Sequence, residues 1–318
     1  MKKILVLRGG PSSEYEISMK TGRAIIEALK NLDYTVSDCV VDKNKNWFIQ
    51  GIKYEPHQLI REHDLFFNAM HGEYGEDGEI QQLLENLGVK FTGPKTLGAR
   101  MAMNKELSKK IFKENNLKTP LHRIIKIDDF GGDINQIALN LFRTFPMPVV
   151  IKPIDRGSSV GVTFVHDYQS LLNSLISLFV QYDRLLVEEY IKGKEATVGV
   201  IEEFRNQKTY SFLPIEIKCS KNIFDYDAKY ADQTEKICPG NFSHQEKMTL
   251  QELAVLAHQS LGLRHYSRTD FIIHPQRGIY ILETNSLPGL AKDSLFPKAI
   301  EAVGSNYNEF LKHIINLS

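Results

Sequence analysis

Over its first hundred residues the chain alternates short apolar runs with stretches of helical periodicity. Lys3 to Leu7 reads as an apolar strand leading into a Gly-Gly-Pro loop. About Tyr15 to Asn31 reads as a helix, with Ser13 and Glu16 spaced as a capping box. Tyr34 to Val41 and Asp64 to Met70 follow as strands, and about Gly78 to Asn86 as a helix. Strands separated by helices predict a parallel sheet, whose ligands gather at the C-terminal strand ends. Gly9, Gly10, His71 and Gly72 occupy such ends.

Helical patterns near Lys95 to Ala102 and Asn104 to Asn115 stop before Pro120. Two strand-like runs, PVVIKP and VGVTFV, are joined by the loop IDRGSS, and a helix is predicted from about Tyr168 to Val180. LLVEEYI, ATVGVIE and TYSFLPIEI read as consecutive strands of a mostly antiparallel sheet. Residues 219 to 243 are polar and turn-rich, and a loop of that length is expected to be either functional or disordered. A helix from about Gln245 to Leu261 and the strands TDFIIH and GIYILE complete an α/β (α+β) reading.

A length of 318 residues exceeds one small core and points to two or three domains. Lys plus Arg and Asp plus Glu are equal at 39 each, so no net field gathers nucleic acid or an anionic membrane. Cys39, Cys219 and Cys238 are scattered without a CxxC pair, which argues for a reducing compartment and against a disulfide frame or zinc site. The first apolar run stops at Leu7, too short for a signal peptide, and no later run reaches membrane-spanning length. The expectation is a cytoplasmic protein.

Several constellations bear on chemistry. In YILETNSLPGLAKDS, residues 280–294, Glu283 and Asn285 are two apart on a strand and so share a face. Arg268, Asp270 and Ile272 alternate on the preceding strand, with HPQRG as the hairpin turn between them. Asp270, Glu283 and Asn285 together form an oxygen set suited to magnesium. A salt bridge from Arg268 or Lys292 to one carboxylate accounts for the same residues. In KPIDRGSSVGV, Lys152 precedes a Gly-Ser-Ser hairpin able to fold over polyphosphate, though it does not match a P-loop; an ordinary hairpin is the alternative. Lys105 is a partner for Lys152 or a solvated helix charge. Glu188 to Ile191 has the alternation of a strand edge that presents backbone groups to adenine, with Glu195 for the ribose, or these are surface glutamates. Glu14 and His71 sit at Gly-rich strand ends, and FDYDAKY keeps three aromatics and Lys229 in a polar loop built to dock.

In order along the chain, GGPSSEYEIS, HGEYGEDG, FTGPKTLGARMAMNK, PVVIKPIDRGSSVG, LLVEEYIKGKE, FDYDAKY, RTDFII and LETNSLPGL…DSL resemble the D-alanine:D-alanine ligases of the ATP-grasp superfamily. The resemblance implies an ATP-grasp fold: an N-terminal Rossmann-like domain (1–96), a central lid (97–187) and a C-terminal domain (188–318), with ATP between the last two. It implies that Lys105 and Lys152 contact ATP phosphates and that the Ser158–Ser159 loop closes over them; Lys229 is expected to add a phosphate contact when the loop of residues 219 to 243 closes. Glu188, Glu189, Tyr190 and Ile191 would hold adenine and Glu195 the ribose. Asp270, Glu283 and Asn285 would hold two magnesium ions, with manganese as a substitute. Glu14 would anchor the first D-alanine's amino group, with His71 near its carboxylate. Arg268 and Gly289 would form the oxyanion hole, and Ser294 and Leu295 would bind the second D-alanine. Glu14, Ser158 and Tyr230 would form a triad latching the loop. The implied activity is ATP-dependent formation of D-alanyl-D-alanine through an acylphosphate, for peptidoglycan, by a homodimer. Asn104 stands where the family usually has aspartate, and Ala291-Lys292-Asp293 departs from the family pattern beside the second-substrate site. Tyr230 favours an amine acceptor, since depsipeptide-forming relatives tend to carry phenylalanine there. D-serine and D-lactate are the rival acceptors, and a non-catalytic nucleotide-binding module is the rival class.

Overall fold

The computed structural model describes residues 1–219 and 234–318. The first sheet contains β1 (Lys3–Gly9), β2 (Thr35–Val41), β3 (Trp47–Ile49), β4 (Ile52–Tyr54) and β5 (Leu65–Asn68), in the order β4-β3-β2-β1-β5. β1 runs parallel to both β2 and β5, whereas β3 and β4 add an antiparallel edge, so the sheet is mixed. Ile4 to Leu7 lack polar alternation because β1 is covered on both faces. Ile4 and Val6 pack with Ile25 and Leu29 of α1 (Tyr15–Lys30), while Leu5 and Leu7 pack with Trp47, Ile80 and Leu84. The predicted Ser13–Glu16 capping box does not form. Residue Glu14 is the N-cap without a side-chain cap bond, because its carboxylate is engaged elsewhere.

Helices α2 (Glu79–Asn86), α3 (Thr96–Met103) and α4 (Lys105–Glu114) follow. Asn104 caps α4: its side chain accepts from the N–H groups of Glu106 and Leu107, both at 3.1 Å. Asparagine caps as well as aspartate, which accounts for this departure from the family pattern.

A second sheet has the order β6-β9-β7-β8, from β6 (His122–Lys126), β7 (Val149–Pro153), β8 (Thr163–Val165) and β9 (Arg184–Glu189). Helices α5 (Ile134–Thr144) and α6 (Tyr168–Phe179) bury Ile137, Leu141, Leu171 and Leu175 against it. LLVEEYI therefore belongs to this sheet and not to the sheet of ATVGVIE. VGVTFV shortens to Thr163–Val165 because Ser158, Ser159 and Gly161 take positive φ and curl the chain.

The third sheet runs β13-β12-β10-β14-β15, with β11 on the far end of β10. Its strands are β10 (Lys194–Phe204), β11 (Gln207–Ser211), β12 (Ile215–Cys219), β13 (Thr234–Ile237), β14 (Tyr266–His274) and β15 (Gly278–Asn285). TYSFLPIEI thus splits into two strands around Pro214. Helix α7 (His244–Ser260), started by a Ser243–Glu246 capping box, packs Leu250 and Ala254 on this sheet together with Ala102 and Phe112. After α8 (Leu295–Ala302), α9 (Tyr307–Leu317) returns to the first sheet, where Phe310 and Ile314 join the core of Ile4 and Ile25. Arg264 donates to the carbonyls of Gly93 (2.6 Å) and Phe91 (2.8 Å), and the Gly93 N–H reaches His265 Nδ1 at 3.1 Å. The first and third sheets are thereby held in fixed relation around the site. Among the described residues, no helix is long and apolar enough to cross a membrane.

Candidate active site

The antiparallel register of β14 and β15 sets Asp270 opposite Glu283 and Arg268 opposite Asn285. Alternation puts all four side chains on one face. The register shifts between Asp270 and Phe271, leaving Leu282 as the extra residue of a bulge, a device that re-aims the side chains next to it. Arg268 grips Asp270 with Nε and Nη2, each 3.1 Å from a carboxylate oxygen, and the Thr197 hydroxyl donates to the same carboxylate. The salt bridge and the shared oxygen face coexist: Asp270 is Arg268's partner and Glu283's neighbour. Two carboxylates and an amide oxygen are hard donors, and this set fits a divalent ion such as magnesium.

Above this floor, Lys152 Nζ on β7 lies 2.5 Å from Glu188 Oε2, and Lys109 Nζ on α4 contacts Glu188 Oε1. Burial alone would push the Glu188 carboxyl up; the Lys109 and Lys152 ammoniums outweigh it and hold it at about 2. Lys105 Nζ donates to the Arg156 carbonyl at 2.5 Å and sits 3.6 Å from Glu283 Oε2. A cleft between the second and third sheets collects these charges. Lys105, Lys152, Glu188, Asp270 and Glu283 line it, with Val150, Val162, Ile191, Ile272 and Leu282 as apolar walls. Glu189, Tyr190, Glu195 and Ser159 also line it. Apolar walls beside two ammoniums match a flat base joined to a polyanion. The expected strand edge at Glu188 is not one, since β9 lies inside its sheet between β6 and β7. Pairing ends with the Tyr190 N–H, which donates to Pro148 at 3.0 Å, and the chain leaves the ladder at Ile191.

The first sheet closes the cleft's other side. Ser158 Oγ donates to Glu14 Oε1, joining the Gly-Ser-Ser loop to the start of α1. The approach is tight: a Cβ on Gly157 would lie 2.9 Å from Glu14 Oε2, and one on Gly72, at φ +70°, only 2.3 Å from Ser12 Oγ. Two residues before Ser158, Arg156 pairs with Glu73 at 2.5 Å. His71 is buried, with Nε2 2.9 Å from Thr21 Oγ1, and burial pulls it down to about 4, so the ring is neutral at pH 7. Glu76 accepts from the N–H groups of Gly72 (2.6 Å) and Leu287 (3.3 Å). Burial first, then the Glu14 charge, raise its carboxyl to about 8.

At the far end, Gly289 and Ser294 face each other; a Cβ on Gly289 would meet Ser294 Oγ at 3.2 Å. Ser294 precedes α8, which opens at Leu295, and makes no side-chain cap bond. Lys292 and Asp293 are exposed. Lys229 and Tyr230 lie outside the described residues.

Glu76 yields a pH prediction. Between its ordinary value near 4.5 and about 8, the folded protein keeps a proton that the unfolded chain has released. This group therefore makes stability fall as pH rises through that window. Urea midpoints measured at pH 5 and pH 8 should converge in Glu76→Gln relative to the parent; an unaltered difference would contradict a protonated Glu76.

A family model described as D-ala D-ala ligase C-terminus matches residues 111–316, and one described as D-ala D-ala ligase N-terminus matches 3–59 and 51–94. The D-alanine--D-alanine ligase of Pelotomaculum thermopropionicum is 35% identical over 319 residues, covering 99% of this chain and 96% of the relative. That of Halalkalibacterium halodurans is 36% identical over 324 residues, covering 99% of each. The chain belongs to the D-alanine–D-alanine ligase family. Its three-sheet fold is of the ATP-grasp type. The crystal structure of the VanG D-Ala:D-Ser ligase from Enterococcus faecalis matches it with a TM-score of 0.84 at 25% identity, covering 99% of each chain. D-alanine–D-alanine ligases are ATP-dependent enzymes, and the family implies a divalent metal. The structure also brings Glu76, Lys109 and Arg156 to this region, none of them singled out from the sequence. HGEYGEDG did carry a signal for Glu76, an acidic residue between glycines just after a strand end; Lys109 in a run of helix charges carried none.

Proposed function

We propose that the chain joins two D-alanine molecules with hydrolysis of ATP to ADP and phosphate. The observation that supports this most is the convergence of Lys105, Lys152, Asp270 and Glu283 in one cleft that Glu14 and Ser158 close from the opposite side. In this reading Lys105 and Lys152 meet the ATP phosphates, with Lys229 added from the loop, and Ser158–Ser159 cover them. With Glu188 and Glu189 still inside the ladder, the chain at Tyr190 and Ile191, where β9 leaves it, holds adenine, and Glu195 the ribose. Asp270, Glu283 and Asn285 hold divalent metal, two magnesium ions in the full site. When bound, the metal neutralises charge on the phosphoryl group in transfer.

The first D-alanine sits with its ammonium at Glu14 and its carboxylate near His71. A carboxylate oxygen attacks the terminal phosphorus, the bond to ADP breaks, and an acylphosphate forms. The amine of the second D-alanine, held at Ser294 and Leu295, attacks the acyl carbon. Arg268 and the Gly289 N–H stabilise the oxyanion, phosphate leaves, and the amine loses its proton. Acylphosphates hydrolyse readily, so the latch from Ser158 to Glu14 keeps water out. We read the chain as three units, the first near 1–96, the central one ending past β9 and not at the expected 187, and the last beginning before β10, working as a cytoplasmic homodimer for peptidoglycan precursors.

A second reading concerns the acceptor. The VanG relative is named for D-serine, and Lys292 and Asp293 are exposed beside Ser294. Phosphate release with D-alanine alone, and with D-alanine plus D-serine or D-lactate, separates the readings. Full stimulation by D-alanine alone is expected; release that requires a second acceptor would replace the first reading with the second.

A further inference from the structure

Among the described residues, Lys109 is the most completely buried cation around the cleft. Its side chain has no exposed surface and does not line the cleft. The ammonium has three oxygen partners: Glu188 Oε1, Thr119 Oγ1 at 2.8 Å and the Leu282 carbonyl at 3.2 Å. Three acceptors use all the donors an ammonium has. Glu188 is shared, holding Lys109 on one oxygen and Lys152 on the other. Lys152 lines the cleft.

Buried ion clusters are poor stabilisers, since desolvating the charges offsets their attraction and well-packed apolar groups serve equally well. A net charge is what this cluster supplies. One carboxylate against Lys152 alone would leave a neutral pair facing the phosphates. With Lys109 behind, one carboxylate faces two ammoniums and the trio keeps a single positive charge. Through Leu282, the bulge residue beside Glu283, the same ammonium also fixes the cation side of the cleft to its carboxylate side.

We propose that Lys109 is a positioning residue for ATP: it neutralises Glu188 from behind and thereby leaves the Lys152 charge available to the triphosphate. This rests on the placement of the ATP phosphates at Lys152, so Lys152→Met is measured alongside. That variant must raise KM for ATP; an unchanged value would overturn the phosphate placement and this proposal with it.

Given that control, Lys109→Met should raise KM for ATP about tenfold, the scale of one charge-assisted contact, with KM for D-alanine within about twofold of the parent. The double variant Lys109→Met/Glu188→Gln has no carboxylate left to cancel Lys152, and its KM for ATP should return to within about threefold of the parent. A purely structural Lys109 would lower thermal stability without moving KM for ATP, and the second substitution would add to the damage. An unchanged KM in the single variant, or a double variant no better than the single, overturns the proposal. Should the single variant fail to fold, the double decides alone: a KM for ATP near the parent's supports the proposal, and a tenfold rise overturns it.

Discussion

Glu283→Ala is expected to lower kcat by roughly a thousandfold while leaving the protein folded. The side chain is 36% exposed, so truncating it costs little packing. Its chemical position is less forgiving. Glu283 lies opposite Asp270 across β14 and β15, shares a face with Asn285, and sits 3.6 Å from Lys105. Removing it takes away one of two carboxylates from the proposed metal set and the ion-pair partner of Lys105, which we assign to phosphate. ADP formation in a coupled assay, with circular dichroism on the same sample, checks this. Retained ADP formation would remove the metal assignment.

Glu188→Ala should produce the largest loss of stability, about 3–5 kcal/mol, because it strands two buried ammoniums around one vanished carboxylate. Urea unfolding gives the size of the effect. Its pH dependence has a definite sign. Glu188 is held at about 2 in the folded protein against an ordinary value near 4.5, so its contribution is complete above 4.5 and is lost as pH falls toward 2. The gap between parent and variant should therefore narrow on acidification. A gap that is small at pH 7, or grows in acid, would show that the trio does not hold together as described.

The shared face of Arg268, Asp270, Glu283 and Asn285 was legible because strand alternation is a local rule. Arg268 and Asp270, then Glu283 and Asn285, needed only a hairpin to meet, and the hairpin is there. Lys152 and the Gly-Ser-Ser loop were legible for the same reason: a strand end and a turn lie within a few residues. What failed was long-range pairing. LLVEEYI has the composition of a strand, but no local feature says that it pairs with β6 and β7, and not with β10. The error reached the site, since a presumed strand edge proved to be the interior of a sheet. The Ser13–Glu16 capping box failed because the helix begins one residue later than that spacing requires, with Glu14 at the N-cap and its carboxylate turned to Ser158. Lys109 was hidden because a lysine on an amphipathic helix has the pattern of a solvated charge until the facing carboxylate is known.

Product analysis tests the central claim most directly. The chain is incubated with ATP, magnesium and a mixture of D-amino acids, and the products are identified by mass spectrometry alongside ADP. The account predicts D-alanyl-D-alanine as the main product, formed one for one with ADP. No D-alanine-dependent ADP formation, or a dipeptide with another residue in second place as the main product, would contradict it.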